Sequence, residues 1–599
     1  MDFINIWLDA YNKKKDITNF KNTFKLPIET LSDKIEINQN IIEDLELKNT
    51  KIVDISNNNE TELDNLYCSV FNPSNIFEKL ILNNWASYYS NNKDYLLNTQ
   101  QLLREFKHNV SINENLSNNS SEWQEDIYNS LDNIFHDNAF IEKYQYIDLP
   151  FFDKYNNNEI CLQALSINNL SAPIISLIIP IIFLILPFFI IKLQGFKITL
   201  DAYIKHLKIV FNNHILGQFF TQFNESSISS KIYLLFSLGF YLFQIYQNII
   251  NSTRYFKNIK YILNTLAKVK NYITNSINSF TNLLKYTKNY ITYNNFNEIL
   301  ENNKLILEDY FNELNKITNY NYSIKKLFDL GFLLKCFYKL YDDDNLIGAL
   351  HYSFGFNGYI DNITNIQKLI KNKNINFCNF INNNDKPSFK NAYYSNLLLD
   401  TSSNIVKNSY KLDNNLTLTG PNAAGKTTLL KSTLFNTLLC QQLGCGFFDN
   451  ANVRIYDHIH CYINIPDTSS RDSLFQAEAR RCKDILECIE NNKDKNHLCV
   501  FDEIYSGTNP DEAVKSAYGY LKYLNNLDNV NYILTTHYHK LCKKLISNTN
   551  KNYHMVINDN NGDFNFTYKI KKGISKVKGG IKVLKDLNYP EHIIKNISN

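Results

Sequence analysis

Apolar residues recur at helical spacing through residues 30–145, as in Phe77, Leu80, Ile81 and Trp85, with Asn/Ser breaks near 56–60 and 112–121. That periodicity predicts a series of helices. The texture then changes. From Ile160 to Ile191 no residue is charged, and the stretch Ile174–Ile191 is almost wholly apolar. About 20 apolar residues cross a bilayer core as a helix, so this run is long enough. Pro180 and Pro187 lie inside it, and membrane helices tolerate such breaks. A weaker apolar run, Ile232–Ile250, includes Gln244 and Gln247. Lys192, Lys197, Lys205 and Lys208 follow the first run, and Arg254, Lys257, Lys260, Lys268 and Lys270 follow the second. Basic flanks suit a cytosolic membrane face. The pair reads either as a membrane hairpin with both soluble ends on one side, or as a buried core helix beside an amphipathic one. Residues 255–345 return to a polar helical pattern, and 375–415 carry loop signals such as Asn382–Asp385 and Pro387. From 412 onward short apolar runs alternate with helical stretches, the signature of an α/β domain with a mostly parallel sheet.

The length of 599 residues is too great for one compact domain and suggests about two to four. With 44% hydrophobic and 20% charged residues, the chain is neither a disordered tail nor collagen-like. A net charge of +3 gives no support to a strongly basic nucleic-acid binder, and leaves room only for a local patch. Eleven Cys, an odd number with no CxxC, argue against a disulfide framework and a zinc module, and for thiols in a reducing compartment. Asn, Ile, Lys, Tyr and Phe are favoured by AT-rich codons, which accounts for the Asn-rich bias. Met1–Ala10 has no basic stretch leading into an apolar core, so no signal peptide is expected and the reading is intracellular.

The chemistry sits in the last third. Leu416–Thr419 reads as a short strand running into Gly420-Pro421-Asn422-Ala423-Ala424-Gly425-Lys426-Thr427, after which a helix begins at Thr428. This is GxxxxGK[ST] between a strand and a helix, the spacing of a phosphate-binding P-loop. Glycines let backbone N–H groups turn toward phosphate oxygens, and the helix N-terminus adds its positive end. Lys426 would reach the β- and γ-phosphates of ATP, and Thr427 would ligate Mg²⁺. Downstream, in His497-Leu-Cys-Val-Phe501-Asp502-Glu503, four apolar residues end in Asp-Glu. Asp502 would hold Mg²⁺, directly or through water, and Glu503 would polarise the attacking water. Leu534-Thr-Thr-His537 is another strand ending in a polar group, and His537 is a candidate for positioning the γ-phosphate. Ser473, before Leu-Phe-Gln-Ala-Glu478, suits a helix N-cap.

Five ordered segments then resemble the ATPase domain of the MutS mismatch-repair family. They are Thr419–Thr428, Cys440-Gln-Gln-Leu-Gly-Cys445, Ser473–Glu478, Phe501-Asp-Glu-Ile-Tyr-Ser-Gly-Thr508 and Thr536-His537-Tyr538. Tyr568–Ser575 and Gly580–Ile594 look like the family's closing strand and final helices. The resemblance covers about 390–599. It implies ATPase domains that pair head to tail, each completing the other's nucleotide site. The segment Asp467–Ser473 resembles the signature loop, so that Ser473 would approach the γ-phosphate held by a second MutS-like subunit, most simply a homodimer partner. Departures are Ala423 for the usual Met, Ala424 for the second loop Gly, and Phe448-Asp-Asn-Ala451 where Val-Pro-Ala is usual.

Upstream the resemblance thins. Tyr341–Leu350 looks like the helix joining the family's core to its ATPase, and Asn75–Trp85 faintly like the start of that core. The tripeptides Phe140-Ile-Glu142, Phe223-Asn-Glu225, Phe296-Asn-Glu298 and Phe311-Asn-Glu313 match the mismatch wedge only by chance, because they lie too far along the chain. The expected architecture is multidomain, a helical core/lever region followed by an α/β P-loop (ABC-type) ATPase domain. Its parts are a divergent segment 1–60, an outgoing helical region 61–160, the apolar hairpin 161–253, a returning helical region 254–385 and the ATPase domain 386–599. The function expected is ATP hydrolysis in a composite dimer interface coupled to DNA clamping. The alternative is a membrane-anchored ATPase without a DNA role, held through 174–191 and 232–250 with its ATPase domain on the cytosolic side. Lys/Arg-rich stretches such as 254–270 fit phosphates of lipid or of DNA. An inactive ATPase is disfavoured because Lys426, Thr427, Asp502, Glu503 and His537 are all present.

Overall fold

The computed structural model describes residues 24–48, 51–53, 60–62, 65–107, 120–149, 151–195, 199–224, 227–317, 328–382, 385–398, 405–412, 415–465, 473–547, 549–560, 563–575, 587, 589–590 and 593. The chain forms two compact units. One gathers Glu125–Ile277 and Lys304–His351; the other gathers Asn22–Gln124, Asn278–Asn303 and Tyr352–Asn599.

The first unit is helical among its described residues. Its core is aromatic. The Phe140 ring stacks on Tyr341 at 4.2 Å between centroids and on Phe337 at 5.3 Å, and the Tyr146 hydroxyl donates to the Leu334 carbonyl at 2.8 Å. Phe140, which heads one of the chance wedge tripeptides, is therefore a core residue. The helix Glu159–Leu193 continues through Pro180 and Pro187. Its first turn lies so close to the helix Leu330–Asp342 that a Cβ on Gly331 would sit 2.2 Å from the Glu159 carbonyl oxygen. Glycine is what permits that approach.

The same helix runs antiparallel to Ile228–Thr287. Ser166 and Tyr255 share a buried hydroxyl pair at 2.7 Å. Ser252 donates to the Leu170 carbonyl at 3.3 Å, and Tyr241 to that of Ser176 at 3.1 Å. Beyond these contacts most of the described apolar side chains face outward, Ile174 at 58% exposed and Phe236 at 75%, while Leu234 is buried. Among its described side chains, the first apolar run is thus not that of a buried core helix. Both helices are long and apolar enough to cross a membrane.

In the second unit a six-stranded sheet carries the C-terminal domain. Its strands are β1 (Asn415–Thr419), β2 (His458–Tyr462), β3 (His497–Asp502), β4 (Val530–Thr535), β5 (Asn550–Asn560) and β6 (Asp563–Lys572), in the order β2-β3-β4-β1-β5-β6. All neighbours are parallel except the β5–β6 hairpin. The helices are α1 (Lys426–Leu443), α2 (Leu474–Asn491), α3 (Pro510–Leu524) and α4 (His539–Lys544). Every residue of β1 and β4 is buried, the polar Asn415, Thr417, Thr419 and Asn531 included, as in strands covered on both faces. The loop-like stretch 375–415 also carries four short strands, of which Asn379–Ile381, Ser388–Ala392 and Asn408–Lys411 join Asn450–Arg454 in a second sheet. Asn and Lys interrupt these strands, so their pattern reads as loop.

Helix α1 is almost entirely buried, polar residues included. Its Gln441 amide donates to the Ser90 and Tyr456 carbonyls at 3.0 and 2.8 Å. That of Gln442 donates to Trp85 and Tyr88 at 2.6 and 2.9 Å. These bonds fasten the N-terminal elements to the helix that begins at Lys426, and they satisfy amides that would otherwise be costly to bury.

Candidate active site

Strand β1 ends at Thr419, and α1 begins at Lys426. Between them the chain turns at Ala423 with φ 60° and Gly425 with φ 91°. A Cβ on Gly425 would meet the Tyr568 ring at 3.1 Å, and one on Gly420 would meet Met555 at 3.1 Å. The β5–β6 hairpin therefore walls one side of the loop. Pro421 and Ala424 are buried, while Asn422, Ala423 and Thr428 are exposed.

Lys426 is only 6% exposed. Its ammonium donates to the carbonyls of Gly420 and Pro421 at 3.1 and 3.2 Å. It also lies 3.2 Å from His537 Nε2 and 3.6 Å from Glu503 Oε1. Burial lowers its pKa from the ordinary lysine value, against the raising effect of Glu503 and Asp502. Neighbouring carboxylates thus oppose the desolvation that disfavours the cation.

Thr427 donates to Asp502 Oδ2 at 2.7 Å, and the Thr535 hydroxyl donates to the other oxygen. The next residue, Glu503, has φ 53°, an uncommon conformation for a non-glycine residue. Its N–H donates to the Thr535 carbonyl at 3.1 Å, which holds the reversal. The Glu503 carboxylate stands 2.8 Å from His537 Nε2. That hydrogen bond is the largest cause of a pKa held below the usual glutamate value, with Lys426 adding to it and burial opposing it. The C-terminal ends of β1, β3 and β4 thus bring Lys426, Thr427, Asp502, Glu503 and His537 together, at the edge where parallel α/β sheets bind their ligands.

Ser473 caps α2. Its Oγ accepts from Gln476 N at 3.3 Å, and its N–H donates to the Gln476 side chain at 2.9 Å, completing a capping box. The segment 466–472, which holds most of the signature-like loop, lies outside the described residues, as do 576–586 and most of 587–599. Glu478, one turn into α2 and 2% exposed, accepts from Ser506 N, Ser506 Oγ and Gly507 N at 3.0, 2.9 and 3.1 Å. It ties the loop after Glu503 to α2. A Cβ on Gly507 would press on Leu474 at 2.7 Å. In the sequence Glu478 stands only within a motif, and Thr535, Met555 and Tyr568 carry no sign of a role. Thr535 shows only its place at the end of an apolar strand; nothing local marks Met555 or Tyr568.

The oxygen pair of Thr427 and Asp502 suits Mg²⁺, a hard cation that takes oxygen ligands. Residues 416–599 match the family model of MutS domain V. The chain is 31% identical over 197 residues to the DNA mismatch repair protein MutS of Prochlorococcus marinus (strain AS9601), an alignment covering 32% of this chain and 21% of that protein. It is 30% identical over 199 residues to the DNA mismatch repair protein MutS of Macrococcus caseolyticus (strain JCSC5402), covering 32% and 23%. The match thus spans about a fifth of these relatives' length.

Proposed function

We infer, from a C-terminal domain that belongs to the MutS family, that this chain hydrolyses ATP. The observation that carries the reading is the convergence of Lys426, Glu503 and His537 within 3.6 Å beside the Thr427–Asp502 pair. Lys426 would bind the β- and γ-phosphates, and the loop N–H groups from Gly420 to Thr428 would cradle them. Glu503 would take the proton of the attacking water while His537 holds its carboxylate in place. Thr427 and Asp502 would hold Mg²⁺, which neutralises phosphate charge when bound. The Tyr568 ring, beside Gly425, offers a face for a base.

Ser473 is exposed at the start of α2. We assign it to the γ-phosphate bound by a second copy of the chain, so that hydrolysis needs a dimer. Coupling to DNA is proposed from the mismatch-repair relatives. Steady-state ATPase rates, with and without branched DNA and across salt concentration, test this. Mg²⁺-dependent hydrolysis that rises with protein concentration and falls in Ser473→Ala is expected; a rate independent of both would sink the composite site.

A second reading, a membrane-anchored ATPase with its ATPase domain on the cytosolic side, is favoured by the outward-facing apolar side chains of the antiparallel helices. Carbonate extraction and flotation of the intracellular full-length protein, beside a version lacking 170–252, would decide it. Membrane retention of the full-length protein alone supports the anchor, and solubility of both removes it.

A further inference from the structure

Strand β3 has chemistry at both ends. Asp502 closes it at the site described above; His497 opens it, roughly 16 Å away at about 3.3 Å per residue. At that far end, β2 and β3 run in parallel register with His458 opposite His497 and His460 opposite Cys499, so these side chains share the sheet face covered by α2. Cys488, near the end of α2, points to the same place. One ligand atom each from His460, Cys488 and His497 lies within 4.8 Å of the others.

The bonding around His497 is what a metal ligand requires. Its ring is buried, and Nε2 stands 3.0 Å from the Asn492 carbonyl. A carbonyl only accepts, so Nε2 carries the proton and Nδ1 carries a lone pair. A backbone carbonyl on the second ring nitrogen is the usual way that a metal-bound histidine is oriented. Nδ1 faces His460 Nε2 at 3.1 Å. Two nitrogens bound to one zinc at about 2.0–2.1 Å in tetrahedral geometry lie about 3.4 Å apart. The pair is close to that spacing, and the half-exposed Cys488 brings its thiol within 4.8 Å of both nitrogens. The ring of His458 stacks on His497 at 4.9 Å between centroids and 15° between planes. It stacks on His460 as well, at 6.2 Å and 16°.

We propose that His460, Cys488 and His497 form a site for a borderline-soft divalent cation of the zinc class. Three protein ligands leave its fourth position to solvent. A metal there joins the C-terminal end of α2 to β2 and β3. Because α2 starts at Ser473 and is tied through Glu478 to the loop after Glu503, the metal fixes one end of the helix whose other end serves the nucleotide sites. The site stands on its own chemistry and survives even if the chain hydrolyses nothing.

The test uses the full chain, stripped of metal and free of nucleotide, titrated with Co²⁺ and then Zn²⁺. The expected result is one tightly bound ion per chain, with the visible bands of tetrahedral cobalt and a near-ultraviolet thiolate-to-cobalt charge-transfer band. Cobalt at Thr427 and Asp502 has only oxygen ligands and gives no such band. Cys488→Ser, at a half-exposed position that tolerates the change, loses the band. It also weakens zinc binding by at least the roughly 10–100-fold that outer-shell changes cost. His460→Gln keeps the band but weakens binding similarly. At one zinc concentration the melting temperature of the parent protein rises more than that of either variant. A titration without the charge-transfer band, or a band that persists in Cys488→Ser, or equal zinc stabilisation of all three proteins, overturns the proposal.

Discussion

Glu503 Oε1 stands 2.8 Å from His537 Nε2, and that contact is the largest cause of a glutamate pKa held below its usual value. A general base must be ionised to act, so this pair sets how far into acid the reaction runs. Removing the imidazole in His537→Ala takes away the largest lowering cause. The Glu503 pKa then rises, and the acid limb of the kcat–pH profile moves to higher pH. In Glu503→Gln the base is gone. Hydrolysis is expected to fall by roughly 10²–10⁴-fold, while nucleotide binding, read by a fluorescent ATP analogue, is retained.

Lys426 makes a different prediction. Its ammonium is held by two carbonyls of its own loop and by the Glu503 carboxylate. Lys426→Ala removes the cation that meets phosphate charge, so ATP affinity and kcat both fall. A donor aimed at transition-state charge is worth on the order of 10²–10³-fold in rate. Lys426→Arg is not a rescue, because the wider guanidinium does not fit a position that is 6% exposed. Equilibrium binding of the ATP analogue beside single-turnover hydrolysis separates the two effects. Undiminished affinity in both variants contradicts the phosphate role.

Glu478 links α2 to the loop after Glu503 through three hydrogen bonds to Ser506 and Gly507. Glu478→Ala leaves those donors without their carboxylate and opens a gap under α2. The cost is about 1–3 kcal/mol, read as a lower denaturation midpoint in urea. Activity is expected to fall more than stability accounts for, because Glu503 rests on the same loop. Full ATPase activity per folded molecule would show that the loop holds its shape without the tie.

What was legible in the sequence was local. The Gly420–Thr427 spacing lies between one strand and one helix, and Asp502-Glu503 ends one apolar run, so both could be read within a few residues. His537 is brought to them because β3 and β4 are register neighbours, Asp502 opposite Thr535. The order of motifs implied that convergence but not its distances. The helix Glu159–Leu193 was visible as an uncharged run, whereas its antiparallel pairing with Ile228–Thr287 rests on single hydroxyls at Ser166, Tyr241 and Ser252 that no periodicity marks. The cluster at His460, Cys488 and His497 was invisible for a related reason. Its ligands are separated by 27 and 8 intervening residues and share no motif, so the absence of CxxC argued against zinc. Parallel register and one turn of α2 assemble it. Short strands at 376–411 are hidden because Asn and Lys interrupt their pattern, and for three of them the sheet shared with Asn450–Arg454 supplies what propensity does not.

The helix Asp344–Lys371 supplies a pH test of the fold itself. Asp361 accepts from the Asn75 side chain at 3.0 Å, and burial followed by the nearby Glu78 raises its pKa to about 7. An aspartate in the unfolded chain titrates near pH 3.9. Between those values the folded protein holds a proton that the unfolded chain has released. The contribution of Asp361 to stability is therefore fully present below about pH 4 and is lost as pH rises through about 7. Asp361→Asn keeps the acceptor for Asn75 and removes the titration. The variant should match the parent near pH 4, exceed it in stability at pH 8, and show a shallower fall between. Urea midpoints across that range measure the difference. Parallel profiles for the two proteins would mean that Asp361 is charged in the folded chain throughout, and that the Asn75 bond is made to a carboxylate.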